Sequence, residues 1–442
     1  MGQPDHPVQI AEHGVRRGDA SRASFGIRHV HRVGVLQPRW QSVEVPRFEP
    51  FPALRYSPSE SLDLVSAPPY DVISRTDVRR LLRHDSHNIV AIDVPNEADG
   101  DDRYRIAARR LDEWIDDGVL VVDPLPTFTL YRMQFTDEVG TRRHTVGVLG
   151  ALEVVDEGAG GVLPHERTTP KAKTDRLDLT YATRANLSPV WGLSLASGLT
   201  DLLLEPGEQI GSCADEQGVV HSVERVSAPE RVEAIRQAVG AYAVVIADGH
   251  HRYAISRTYR DQQRAATGRN DLASELTLTY VGELVDDQLS VAAIHRLING
   301  VDDAVLLGGL AAFFEALPAG QVTPGFAREV VNRGALCLVH ASGEGTFLVP
   351  REEAFAGIRD LDSARLEHAL AAIPGAQVTY QHGVDNIVDS VRSGQATAGV
   401  LLRPVSIAEI RRTADEGLLM PPKSTFFSPK LRTGLVIRRL DV

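Results

Sequence analysis

Cysteine is scarce: Cys213 and Cys337 are the two in 442 residues. They lie far apart and in no Cys-x-x-Cys spacing, so neither a disulfide framework nor a cysteine zinc site is expected, and a reducing cytoplasm fits. No apolar run reaches the roughly 18 residues that a membrane helix requires. The opening Met1-Gly2-Gln3-Pro4-Asp5-His6 leads into polar, Arg-containing sequence rather than an apolar signal core, so no membrane partner is expected. A basic surplus is lacking too, with 47 Lys and Arg against 59 Asp and Glu and a net charge of −12. That balance argues against a nucleic-acid partner bound through its phosphates. His250, His251 and His295 lack the paired spacing of a zinc site, which leaves metal ligands unassigned.

What is present is enough apolar sequence, 43% of the chain, to bury a large core in two or three domains. The polar, aperiodic residues 1–43 read as a disordered leader. Residues 44–155 read as an N-terminal α+β region. It holds a strand-like Leu62–Val65, the rigid Pro68-Pro69-Tyr70-Asp71 turn and a short helix over Asp77–Arg83. A helical face of Ala107, Leu111, Trp114 and Ile115 follows, then a hairpin of Phe128–Phe135 and Thr145–Val155. Residues 156–300 hold a helix over Leu177–Asn186, a strand over Ala243–Ala247, a strand over Leu276–Val285 and another over Val291–Leu297. Residues 301–442 alternate helix and strand, including a Ser406–Glu409 capping box and a closing strand over Gly434–Ile437, a pattern of α/β or α+β type. The class is therefore mixed, α+β with α/β, the last region being read as α/β.

The chemistry concentrates in Val245–Arg257. An apolar strand runs into Asp248-Gly249 and then His250-His251-Arg252 at the start of a helix. Gly249 allows backbone N–H groups to approach an anion, the helix dipole favours one there, and Arg252 offers a bidentate grip on phosphate. The competing reading is a strand–turn–helix whose histidines cap and pack. Asp248 either builds the turn, orients His251 or meets Mg²⁺ through water. Glu166, between His165 and Arg167 after a glycine-rich loop, is either a general base toward a hydroxyl or a helix-start carboxylate paired with Arg167. Lys171, Lys173 and Arg176 form a basic string that suits a polyphosphate or simply a solvated face. His295 and Arg296 end a strand where site residues often lie. Lys423 and Lys430 flank Phe426-Phe427 as a lid or as plain core structure.

Asp248-Gly249-His250-His251-Arg252-Tyr253 resembles the Gly-x-His-Arg-Tyr turn of sulfiredoxins and the Gly-x-x-Arg phosphate turn of ParB partition proteins and ParB-like free serine kinases. His250 stands where sulfiredoxins carry their nucleophilic Cys, so sulfinic-acid reduction is not implied. Leu163-Pro164-His165-Glu166-Arg167-Thr168 resembles the Pro-His-Glu segment of the serine kinases, where the Glu is the catalytic carboxylate. These residues, continued through Thr169–Arg176 and Ala185-Asn186-Leu187-Ser188-Pro189, resemble a widespread bacterial and archaeal family known as a domain of unknown function, number 1015. So do Ala67–Ile73 and Pro421–Lys430, and this likeness covers roughly residues 45–440.

The resemblance implies a ParB/sulfiredoxin-like core over 156–300. It implies ATP or ADP, accompanied by Mg²⁺, with its phosphates on the turn Asp248, Gly249, His250, His251 and Arg252, and catalysis by Glu166; the local charges of Lys171, Lys173 and Arg176 are read as further nucleotide contacts, and His165 and His251 as further catalytic groups. The function expected is nucleotide-dependent phosphotransfer to a small hydroxylated metabolite, serine or phosphoserine first. A nucleotide-liganded switch of the ParB kind, on CTP or ATP, is the alternative from another class, as is a non-catalytic metabolite sensor. No helix-turn-helix or basic face of a DNA-handling relative is evident.

Overall fold

Phe128–Thr136 and Arg142–Glu153 pair antiparallel, Thr136 opposite Arg142 and Thr129 opposite Leu149, and Thr145–Leu152 is buried at every position. This hairpin lies within a nine-stranded sheet of the computed structural model, which describes residues 45–137, 140–166 and 173–441, with side chains from Asp175 in the last stretch. The expected leader, Lys171 and the Lys173 side chain lie outside the described residues. The sheet runs Val162–Pro164, Val244–Asp248, Val190–Ser194, Leu276–Glu283, Arg142–Glu153, Phe128–Thr136, Val220–Val226, Glu208–Ala214. Phe48–Glu49 adds to Arg142–Glu153. Parallel pairing occurs between Val162–Pro164 and Val244–Asp248, and between Val190–Ser194 and Leu276–Glu283. The others are antiparallel, so the sheet is mixed and draws strands from both sides of residue 155.

The strand Val244–Asp248 shows why its sequence is apolar without alternation. Val244 and Ile246 join Phe48, Phe128 and Val281 in the core on one face, under Ile235 and Val239 of the helix Pro229–Gly240. Val245 and Ala247 face the other way, into a core with Tyr131, Trp191, Tyr280 and Phe427. Burial on both faces requires an apolar residue at every position.

The second sheet has six strands, in the order Phe314–Gln321, Glu344–Pro350, Leu336–Val339, Ala398–Leu401, Ile294–Asn299, Gln377–His382, all antiparallel. Helices Asp362–Ala371 and Asp303–Leu310 bury Leu366, Leu370, Leu306 and Leu310 against it. Of the two arrangements the helix–strand alternation allowed, the α+β one forms. The strand expected over Val291–Leu297 is divided at Ala293. Ser290–Ala292 pairs with Phe426–Ser428, and Ile294–Asn299 crosses into the six-stranded sheet.

Three local expectations are corrected. Leu62–Val65 is one helical turn, because the Asn88 side chain, rather than a neighbouring strand, donates to the carbonyls of Leu64 (2.6 Å) and Ser66 (3.1 Å). The helix expected to reach Asn186 spans Lys173–Thr183: Arg184 turns left-handed (φ 46°) and Ala185–Asn186 pairs with Arg438–Arg439. The closing strand is Arg438–Arg439, since Gly434 (φ 94°) cannot continue a strand before it. The tail thereby ties together regions far apart in sequence, with Thr433 bridging Ala67 and Ile437 bridging Leu54. Among the described residues no helix is long and apolar enough to cross a membrane.

Candidate functional site

Two parallel strands end side by side. Pro164 is in register with Ile246, so His165 and Glu166 leave the sheet at the same edge as Asp248 and Gly249. The carboxyl ends of parallel strands are where α/β scaffolds present site residues. Gly249 is left-handed (φ 83°) and caps the helix His250–Thr267 at its N-terminus. Its positive φ favours glycine, and a Cβ there would lie 3.0 Å from Nε of Arg252, a tight contact that the guanidinium would have to yield to. The first-turn N–H groups of His250, His251 and Arg252 precede any intrahelical acceptor and carry the positive end of the helix dipole.

Asp248 lies between two cations. Its Oδ2 accepts from Nη2 of Arg252 at 2.8 Å and its Oδ1 from Nζ of Lys430 at 3.0 Å. Burial acts to raise its pKa, but Lys430 and Arg252 more than reverse this and hold the carboxyl well below the usual range. Arg252 also donates through Nη1 to the Pro189 carbonyl. The guanidinium expected as an open phosphate clamp is thus largely buried and engaged in shaping the turn. Lys430, 4.4 Å over the Phe426 ring, is a cation that reaches Asp248 from the tail.

His165 is fully buried and both ring nitrogens are occupied. Nδ1 lies 2.5 Å from the Ile246 carbonyl and Nε2 2.7 Å from Oγ1 of Thr425. Burial lowers its pKa to about 4, against the opposing pull of the Ile246 carbonyl. The ring is therefore neutral near pH 7, with Nδ1 donating to the carbonyl and Nε2 accepting from the hydroxyl. The His250 ring lies 5.0 Å away, and burial followed by the charge of His165 lowers its pKa to about 3. Its Nε2 is buried with no hydrogen-bond partner among the described residues. His251 is half-buried at the next position.

Glu166 is held by the tail. It bridges in parallel to Met420, whose N–H donates to the His165 carbonyl at 2.8 Å, and its Oε2 accepts from the Ser424 N–H at 3.2 Å. Burial pushes its carboxyl up to about 7, with the Ser424 N–H and Lys423 opposing and Asp248 reinforcing. Lys423 takes a left-handed conformation (φ 58°) that turns the Pro421–Ser424 loop around this carboxylate.

Arg176 lies on the far side of Arg252. Its Nη1 donates to the Asp93 carbonyl (2.6 Å) and Oδ1 (3.2 Å), and its guanidinium lies 4.2 Å above the Tyr70 ring. With Arg252, Asn186 and Ser188 these residues line a small pocket of about 50 Å³. Arg176 is paired there with Asp93 and, through Nε at 3.0 Å, with Asp175, rather than extended as part of a free basic string. Burial raises the Asp93 pKa, against the pull of Arg176 and Arg252. Asp93 escaped the sequence reading because Val90-Ala91-Ile92 before it resembles ordinary core. Ser424 and Thr425 stand in the Pro421–Lys430 segment, but no local pattern assigns them to Glu166 and His165 across more than 250 residues.

A mixed α+β protein with a glycine-turned helix N-terminus and a half-buried carboxyl at one sheet edge is thus defined. The chain belongs to the family described as Protein of unknown function (DUF1015), which matches residues 48–364. No curated protein matches it. Solved structures similar to it include free serine kinase in complex with AMP, 13% identical, covering 60% of this chain and 83% of that chain at a TM-score of 0.33. SbnI with C-terminal truncation from Staphylococcus aureus is 14% identical over 66% of this chain and 86% of that one, at a TM-score of 0.34. A conserved hypothetical protein from Pyrococcus furiosus is 14% identical over 60% and 86%, at a TM-score of 0.32.

Proposed function

We propose that the chain binds a nucleotide with its phosphates at the N-terminus of the helix His250–Thr267 and transfers a phosphoryl group to a small hydroxylated metabolite, serine being the first candidate. One observation carries this reading: a half-buried carboxyl, Glu166, whose pKa is pushed up to about 7, stands at the same sheet edge as the glycine-turned helix N-terminus. A base poised near the working pH suits proton removal from a hydroxyl. Helix N–H groups suit the charge of a transferring phosphoryl group, and Lys430, whose ammonium has three donors and gives one to Asp248, adds to them.

The step balances on these groups. The acceptor oxygen bonds to the terminal phosphorus, the phosphorus–oxygen bond to the nucleotide breaks with its electron pair leaving on the nucleotide, and the hydroxyl proton passes to Glu166. His165, with both nitrogens engaged, positions the segment that carries Glu166, and His250 keeps one unpartnered nitrogen for a ligand. Arg252 holds Asp248 and the Pro189 carbonyl, and so fixes the turn. Asp248 has both oxygens taken by cations, and no cluster of three metal-ligating side chains occurs among the described residues. A protein-held Mg²⁺ cage does not fit these residues; Mg²⁺ would arrive bound to the nucleotide phosphates.

Calorimetry with ATP, ADP, CTP and pyrophosphate, each with Mg²⁺, tests the binding half. An adenine or cytosine nucleotide is expected to bind, and Lys430→Ala to weaken it about ten- to a hundredfold by removing a charge-assisted contact. Binding unchanged by Lys430→Ala, or none with any of the four, contradicts the reading.

A further inference from the structure

Arg296 lies within the strand Ile294–Asn299, opposite Tyr380 on one neighbour and Val400 on the other. The register places its guanidinium 4.7 Å from the centre of the Tyr380 ring. It is as buried as Arg55, Arg365, Arg432 and Arg438, yet it is bonded differently. Arg55 and Arg365 each meet a carboxylate, Asp123 at 2.9 Å and Glu352 at 2.8 Å. Arg432 and Arg438 each donate through two nitrogens, to Ser66 and to the carbonyls of Leu276 and Ala273. Among the described residues Arg296 donates through Nη1 alone, to the Ile294 carbonyl at 2.6 Å. No carboxylate among the described residues lies within ion-pair distance of it. Glu166 and Glu367 act on it only from farther away.

A buried cation without a paired anion is costly, and the unengaged Nε–Nη2 edge is the two-donor fork that a carboxylate matches. That side chain lines a cavity of about 300 Å³ walled by Leu366, Ser363, Tyr380, Pro421 and Pro422. The volume is at the small end of the range for metabolite sites. Glu367 on the same wall disfavours a ligand with two negative charges.

We propose that this cavity is a binding site for a small monocarboxylic acid, its carboxylate held on the Nε–Nη2 edge of Arg296. The site does not depend on the phosphotransfer reading. It adjoins that machinery, since the Pro421–Pro422 wall continues through Lys423 to Ser424, whose N–H holds Glu166.

Saturation-transfer NMR on the full chain tests the proposal with acetate and L-lactate as probes, acetamide as the uncharged isostere and inorganic phosphate as competitor. Acetate and lactate are expected to receive saturation and acetamide to receive none. Arg296→Gln should weaken carboxylate binding by at least about tenfold. Because a buried substitution can disturb folding, Ala371→Trp serves as a second variant: Ala371 is an exposed residue at the rim of the cavity, and the indole should block entry with the fold intact. The proposal is overturned if neither carboxylate receives saturation, if acetamide binds as well as acetate, if phosphate displaces acetate more readily than lactate does, or if both variants bind as the parent does.

Discussion

Glu166 sets the pH behaviour at the scale of single residues. Its folded-state pKa of about 7 lies above the ordinary carboxyl value of 4.5, so the folded protein binds its proton more tightly than the unfolded chain does. That contribution to stability is complete below about pH 4.5 and is lost as pH rises through about 7. Glu166→Gln, a permanent mimic of the protonated form, should gain roughly 2–4 kcal/mol over the parent near pH 9 and almost nothing near pH 4. Denaturant titrations at the two pH values check this; an equal difference at both means the carboxyl is not held protonated by burial. His165 and His250 act in the opposite sense, because their lowered pKa values stabilise the fold above about 6.5 and lose that contribution as pH falls toward 4 and 3. Arg252 is a structural cation here. Arg252→Ala leaves Asp248 with one partner fewer and the Pro189 carbonyl without its donor, and should cost about 3–5 kcal/mol, read as a lowered melting temperature. An unchanged melting temperature would restore the open phosphate clamp expected from sequence. The sequence shows which of these residues are chemical, because Gly, His, Glu and Arg stand out in an apolar strand context. It does not show their pairing, which depends on Lys430 and Ser424 arriving from the other end of the chain.

The element that organises the site is the pair of parallel strands Val162–Pro164 and Val244–Asp248 with the helix that follows. Its apolar run, glycine turn and helix start are legible because each is local: continuous burial, a left-handed cap and the periodicity after it. Gly249→Ala tests the turn. A Cβ there meets Arg252 at 3.0 Å and must sit at φ 83°, a conformation that costs an L-residue about 1–2 kcal/mol. The variant should lose that much stability and also nucleotide affinity, whereas Gly268→Ala, left-handed but in open space at the far end of the same helix, should lose stability alone. Equal nucleotide affinity in both variants would mean that the turn does not touch the ligand. Elements that depend on distant partners were not legible: Val291–Leu297 reads as one strand because nothing local marks Ala293 as the point where the chain changes sheets.

Over the whole molecule, the last twenty or so residues act as a strap. Met420, Phe427, Leu431, Leu435 and Val436 belong to the same core as Tyr131 and Trp191, and Ile437 joins the core of the N-terminal helices. A chain ending before Met420 should therefore fail to fold as the parent does, with early amide exchange in the central sheet as well as near the cut; protection of that sheet at the parent level would show the strap to be dispensable. The alternating pattern after residue 301 suggests a separate terminal unit, and its return to the first region cannot be seen from periodicity. The same strap carries Ser424, Thr425 and Lys430 into the site, so fold and proposed chemistry share one segment. The most direct test of that chemistry is the exchange of labelled phosphate between nucleotide and serine, or another small hydroxylated metabolite, in the parent and in Glu166→Gln. The account predicts that the parent exchanges, and that the variant binds nucleotide as well but exchanges about 10²–10⁴-fold more slowly. Exchange by the variant at the parent rate, or a parent that binds nucleotide tightly and passes phosphate to no hydroxylated metabolite, would contradict it, the second result favouring a nucleotide-liganded switch.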